Sequence, residues 1–170
     1  IWPKKVVNYK TVMSDAASGF TSVTYPFPVI RMADLYLMYA EALNEKGEDY
    51  ATVLPWIDMV RERSGLQGVK ESWDQYVGNS KYATQTGLRQ IIMQERRIEL
   101  AFEGHYFWDV RRWKTATTEL TQPLTGWKVR YGETDVDYYS ENLVLVRDFT
   151  PKMYFWPIDI GELRKDPNLV

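Results

Sequence analysis

The chain has 170 residues, enough to bury one core, with 45% apolar and 26% charged side chains and a net charge of −2. That slightly acidic balance argues against a nucleic-acid partner, which requires a strongly basic face. The lack of cysteine excludes disulfides and thiolate chemistry, and the single histidine, His105, disfavours a histidine-built metal site.

The chain starts "IWPKKVVNYK", with neither an initiator Met nor a signal peptide, and reads as part of something longer. No uninterrupted run of about 18 apolar residues follows, so the sequence contains no membrane-spanning helix. Residues 1–30 carry few helix signals, and Pro26 and Pro28 favour an extended approach to the first helix. "ADLYLMYAEALNEKG" spaces Leu35, Met38, Tyr39, Ala42 and Leu43 along one side, which predicts a helix burying that stripe and stopping at Gly47. "TVLPWIDMVRERSGL" predicts a second helix, with Thr52 as N-cap so that Pro55 falls in the first turn, and with Leu54, Ile57, Val60 and Arg61 along one face. Residues 25–66 therefore form a helical hairpin. Residues 67–86 read as a loop, long enough to suggest a purpose. Residues 87–114 read as a second helix pair broken at Gly104, and 115–170 as loops, short strands ("LVLVRDF", "MYFWPI") and a tail. The two pairs are close to the tetratricopeptide (TPR) repeat in length. The expectation is one domain over 1–170, mainly α: TPR-like helical hairpins in an α–α superhelix, with long irregular loops and little β.

The third helix raises the central question. Its stripe, Leu88, Ile91, Ile92, Glu95, Ile98, Glu99 and Phe102, puts two carboxylates among residues that should face a core. Residues at i and i+4 can meet the spacing of a glycosidase pair. The same region is rich in arginine, however, and a core-facing carboxylate is costly unless a guanidinium pairs with it. We therefore assign Arg31, Arg61, Glu95, Arg96, Glu99, Arg111 and Arg112 to a structural ion-pair network, with no catalytic residue, metal or cofactor. Asp135, Asp137 and Glu141 form an acidic loop cluster without an EF-hand pattern.

Aromatics are abundant, at 7 Trp, 12 Tyr and 6 Phe, which is more than one small core absorbs and suits a surface that stacks on sugar rings. Loops carry function more often than their scaffold does. The glycan-binding candidates are accordingly the loop aromatics Trp73, Tyr76, Tyr82, Trp127, Tyr131, Tyr138 and Tyr139, whereas Tyr36, Tyr39, Phe102, Phe107 and Trp108 are read as packing residues.

Four stretches, "FPVIRMADLYLMYAEALNEKG", "VRERSGL", "ERRIELAFEGHYFWDVRRWK" and "FWPIDIGELRKDPNL", resemble in this order the C-terminal part of the SusD/RagB family. These are outer-membrane lipoproteins of Bacteroidetes that capture nutrients, mostly glycans. The resemblance implies a TPR-like scaffold that caps a SusC-type TonB-dependent transporter and passes it an oligosaccharide without chemistry. It also implies surface exposure at the outer membrane through a lipid anchor that lies outside this fragment. The family's signal peptide and lipidated cysteine are not in this chain, and relatives usually run a few residues beyond "DPNLV". Two other readings compete: a TPR-type protein-interaction module without a small ligand, and a glycosidase built on Glu95 and Glu99.

Overall fold

The computed structural model describes residues 5, 7–13, 19–128, 133–166 and 168. They fall into two compact units, Ile1–Tyr106 and Phe107–Val170. Among the described residues helix prevails, and strand is confined to two two-stranded hairpins. None of the helices among them is long and apolar enough to cross a membrane.

The first unit opens with a short antiparallel ladder of β1 (Val12–Met13) and β2 (Phe20–Thr21). Its body is α1 (Met32–Lys46), α2 (Tyr50–Arg63) and α4 (Gln85–Glu99), joined by α3 (Val69–Ser72), a wide π turn at Trp73–Val77 and a 3₁₀ turn at Lys81–Ala83. Gly47 ends α1 in the left-handed region, φ 88°, and its N–H donates to the Asn44 carbonyl while Glu48 N–H donates to that of Leu43. Both bonds satisfy carbonyls that a helix end would otherwise leave bare, and only glycine takes that backbone without strain. Asp49 then caps α2, its carboxylate accepting from Ala51 N at 3.3 Å.

The core joins Leu37 and Ala40 of α1, Val53, Leu54, Ile57 and Val60 of α2, and Leu88, Ile91 and Ile92 of α4. At each roughly 0.8 kcal/mol per buried methylene, these side chains supply the main driving force of the unit. A partly buried amide lock ties α1 to the start of α4, with Asn44 buried and Gln85 at the surface. Asn44 Nδ2 donates to the Gln85 carbonyl at 3.1 Å, and Gln85 Nε2 donates to the Asn44 carbonyl at 2.7 Å.

Three expectations are corrected here. On α1 the buried face is Ala33, Asp34, Leu37, Ala40 and Asn44, while Leu35, Met38 and Tyr39 of the predicted stripe are exposed. Both sides of this helix are apolar, so periodicity alone cannot choose between them. The small residues Ala33 and Ala40 permit the close approach of α2 and α4, which decides the face. Helix α2 starts at Tyr50 rather than at a Thr52 cap, so Pro55 lies inside the helix and forgoes one backbone bond. The Asp49 cap and four buried apolar residues outweigh that loss. Residues 67–86 are a run of short helical turns rather than an open loop, because Val69 and Tyr82 belong to the core and Trp73 packs against it.

One link in that run suggests a measurement. Asp58 of α2 accepts from Val69 N at 2.7 Å, and burial raises its carboxyl pKa despite this bond and the nearby Arg61. A raised folded-state pKa means that the ionised form costs stability at neutral pH, and that the cost fades as pH falls through that pKa. Asp58→Asn keeps the acceptor and removes the charge, so its melting temperature should exceed wild type at pH 7. The two should converge in acid. A variant less stable than wild type at pH 7 contradicts this account.

The α4 stripe ends earlier than its pattern suggests. The helix closes at Glu99, Leu100 takes the buried position, and Phe102 turns outward with φ 65°. Gly104 follows at φ 83°, then α5 (His105–Arg112).

In the second unit α6 (Ala116–Glu119) leads to β3 (Leu124–Trp127), which pairs antiparallel with β4 (Glu141–Leu145) around α7 (Asp135–Tyr138). The register runs Thr125↔Leu143, Gly126↔Asn142 and Trp127↔Glu141, with an irregularity beside Leu124. "LVLVRDF" thus supplies part of a strand. "MYFWPI" does not: Pro151–Tyr154 is a 3₁₀ turn, where Pro151 fixes φ in the first turn and has no N–H to offer a ladder. Val110, Ala116 and Phe149 are buried, and α8 (Ile160–Lys165), capped by Asp159, follows near the C-terminal end of the described residues.

Candidate functional site

The carboxylates of α4 face inward and meet guanidinium groups. Glu95 pairs with Arg61, whose other donors reach the Gln67 carbonyl at 2.8 Å and Ser72 Oγ at 3.0 Å. Glu99 accepts from Arg31 at 2.5 Å and Arg63 at 2.6 Å, and Arg31 continues to Glu103 at 2.7 Å. Lys5 joins the group by pairing with Glu103 at 2.6 Å and donating to the Glu99 carbonyl. The side chains of Glu95 and Glu99 are each only 13% exposed. Burial alone would lower the Arg31 pKa and raise that of Glu103. Their mutual hydrogen bond, helped by Glu99 on one side and Lys5 on the other, reverses both shifts and holds both groups charged. Each of these carboxylates is paired with at least one cation, which favours a structural role over moving a proton to or from a substrate.

The partners of the remaining arginines are more varied than sequence suggests. Arg96 turns to Asp34 of α1 at 2.9 Å, with the two side chains only 3% and 8% exposed. Arg112 pairs with Asp109 in its own helix at 2.8 Å. Arg111 donates to the Met153 carbonyl at 2.5 Å and stacks over Phe107, centroid distance 4.2 Å. Arg111 and Arg112 therefore serve the second unit, where the chain folds back over α5.

The loop aromatics divide into three groups. Tyr82 is buried, its hydroxyl donating to Asp74 at 2.8 Å and its ring packed edge-on against Tyr50, so it offers no face to a ligand. Trp73 is half-buried against the same core with Lys81 over its ring at 5.4 Å, whereas Tyr76 is exposed. The structure brings Trp127, Tyr138 and Tyr139 together on the β3–β4 hairpin: Trp127 and Tyr139 meet edge-on at 5.2 Å, Tyr138 and Tyr139 at 5.0 Å. Trp127 and Tyr139 are more than half exposed. Tyr131 lies outside the described residues. In the neighbouring acidic cluster, Asp137 accepts from Thr134 and Glu141 from Thr125.

A second aromatic surface includes Trp108, which the sequence reading placed among packing residues, and rings of "MYFWPI", which it read as a strand. A cavity of about 780 Å³ in the second unit is lined by Trp108, Arg111, Lys114, Tyr154, Phe155 and Trp156 among others. Trp108 and Trp156 are 58% and 71% exposed, with centroids 6.5 Å apart. The available signal was the aromatic density of "HYFWDVRRWK" and "MYFWPI", since at most part of so many rings fits one small core.

The inward carboxylates of the helical scaffold are thus paired with cations, while rings are held outward on the β3–β4 hairpin and around a cavity in the second unit. The SusD family model matches residues 1–170, and the chain belongs to the SusD family. It is 37% identical over 98 residues to SusD-like protein P2 of Formosa agariphila, covering 57% of this chain and 18% of that protein. It is 39% identical over 85 residues to SusD-like protein P25 of the same organism, covering 50% and 15%. Its structure is similar to that of a SusD-like carbohydrate binding protein from Bacteroides fragilis NCTC 9343, with a TM-score of 0.69 at 31% identity over 88% of this chain and 29% of that one. A second SusD-like protein of B. fragilis gives 0.68 at 28% identity over 91% and 26%. The matched stretches thus span less than a fifth of the length of these curated relatives.

Proposed function

We propose that this chain is part of a non-catalytic carbohydrate-binding lipoprotein of the outer membrane, which captures oligosaccharide and hands it to a SusC-type TonB-dependent transporter. The observation that carries the reading is the family match along all 170 residues. It is supported by the similar B. fragilis protein, which is described as carbohydrate binding, and by the outward-held rings of Trp127 and Tyr139. Flat rings cover the apolar C–H face of a pyranose, and the neighbouring Thr, Asp and Glu side chains suit its hydroxyls. The occupied carboxylates of Glu95 and Glu99 favour binding without turnover.

Calorimetry of the intact protein against a panel of oligosaccharides tests this. One or more should bind, and Trp127→Ala and Tyr139→Ala should each weaken that binding about tenfold, roughly 1.4 kcal/mol. Both rings lie on an exposed hairpin, so the variants should fold normally. Negligible heat with every saccharide would sink the proposal and favour a protein-interaction module instead. Co-purification with a TonB-dependent barrel, lost on removal of that barrel's gene, tests the delivery step.

A further inference from the structure

The cavity beside α5 combines exposed rings with cations, and none of its lining residues is acidic. This is a local feature, because the chain as a whole carries a net charge of −2. Arg111 is central to it. Its guanidinium sits 4.2 Å from the Phe107 centroid, 5.0 Å from that of Phe149 and 5.9 Å from that of Trp156. Its Nε is buried and has no hydrogen-bond partner, and no carboxylate pairs with the group among the described residues. Lys114, at the rim, holds a left-handed backbone, φ 58°, and its ammonium forms no ion pair among the described residues. A non-glycine residue in that region is kept there against a local cost, since Cβ crowds the following carbonyl.

We propose that this cavity is a saccharide subsite selective for an anionic sugar, one carrying a carboxylate or a sulfate ester. The inference rests on the carbohydrate-binding reading and names the substrate class. Trp108 and Trp156 would stack on the apolar faces of the ring, while Arg111 and Lys114 meet the charge. A guanidinium among rings is partly stripped of water, and an anion placed against it regains more than a neutral hydroxyl does. A neutral sugar would use the rings and bring no negative charge to either cation.

The test is calorimetry of the intact protein with matched pairs: oligogalacturonate against a neutral galactan, and a sulfated galactan oligosaccharide against its desulfated form. At least one charged member should bind at least tenfold more tightly than its neutral partner, and the preference should shrink on going from 50 to 300 mM NaCl, as screening requires. Which pair responds tells carboxylate from sulfate. Lys114→Gln should cut the charged affinity about tenfold, and the salt titration on wild type gives an independent readout should that variant fold poorly. Equal affinities within both pairs overturn this inference and leave the carbohydrate reading standing. A preference that survives intact in both Lys114→Gln and Arg111→Gln also overturns it, because the charge is then read elsewhere. No binding by any saccharide overturns the carbohydrate reading and this inference with it.

Discussion

Asp34→Ala should lower the unfolding free energy by about 3–5 kcal/mol, the cost of breaking a buried ion pair by removing one of its charges. Asp34 and Arg96 meet at 2.9 Å between α1 and α4, with almost no solvent contact. In water such a pair is worth little, because solvent screens it and side-chain entropy opposes it. Here the carboxylate has been removed from water, so truncating it takes from the buried Arg96 guanidinium the carboxylate that balances its charge at 2.9 Å. For a chain of this length the loss corresponds to a fall on the order of 10 °C in melting temperature. Arg96→Met should be similarly damaging, since it strands the carboxylate instead. The double replacement Asp34→Ala with Arg96→Met removes both charges and should cost less than the sum of the two single losses, which an additive pair of defects would not do. Urea melts of the four proteins measure the coupling. Single variants within about 1 kcal/mol of wild type would show that the pair is solvated and does not brace the two helices.

That pair also marks where sequence reading reaches its limit. Asp34 reads naturally as a charge placed to suit the N-terminal end of α1, and Arg96 as one of several candidates to meet Glu95 or Glu99. Composition and helical spacing indicate that inward carboxylates need guanidinium partners. They do not indicate which of many arginines meets which, because that depends on the packing of helices distant in sequence. The stops are more legible: Gly47 ends α1 as its position suggests, since a left-handed cap is a local requirement. The face of α1 is not legible, because Leu35, Met38 and Tyr39 are as apolar as Leu37 and Ala40, and only the approach of α2 and α4 separates them.

Aromatic side chains show the same division. Nothing local distinguishes Tyr82, which is buried and bonded to Asp74, from Tyr76 six residues earlier, which is exposed. Trp127, Tyr138 and Tyr139 are brought together by a β pairing that joins residues 14 apart, Trp127 and Glu141, across a segment with little periodicity. Trp108 and Trp156 come from separate segments that share only a high density of rings. Local chemistry can be read directly from a sequence, whereas a surface assembled from distant residues requires the fold first.

Gly87→Ala is expected to cost about 3 kcal/mol, at the upper end of what overpacking usually costs, even though alanine is the better helix former by about 1 kcal/mol. Gly87 lies in the first turn of α4, where its N–H donates to the capping Thr84 Oγ1 at 3.1 Å. A Cβ there would stand 2.1 Å from the Lys81 carbonyl oxygen and 2.7 Å from Thr84 Oγ1. The obstacle is backbone, so no rotamer change relieves it. Either α4 starts later and forfeits its cap, or the 3₁₀ turn at Lys81–Ala83 moves away and takes Tyr82 out of the core. The second route also disturbs the Tyr82–Asp74 hydrogen bond and the Asn44–Gln85 lock beside it. Gly47→Ala provides the comparison: its added Cβ meets nothing within 4 Å, and only the left-handed backbone, φ 88°, resists it, at about 1–2 kcal/mol. Steric exclusion should therefore outweigh backbone strain in parallel denaturation curves. A Gly87→Ala protein as stable as wild type would mean that the turn and the helix start do not touch, and that Tyr82 is held in the core by something else.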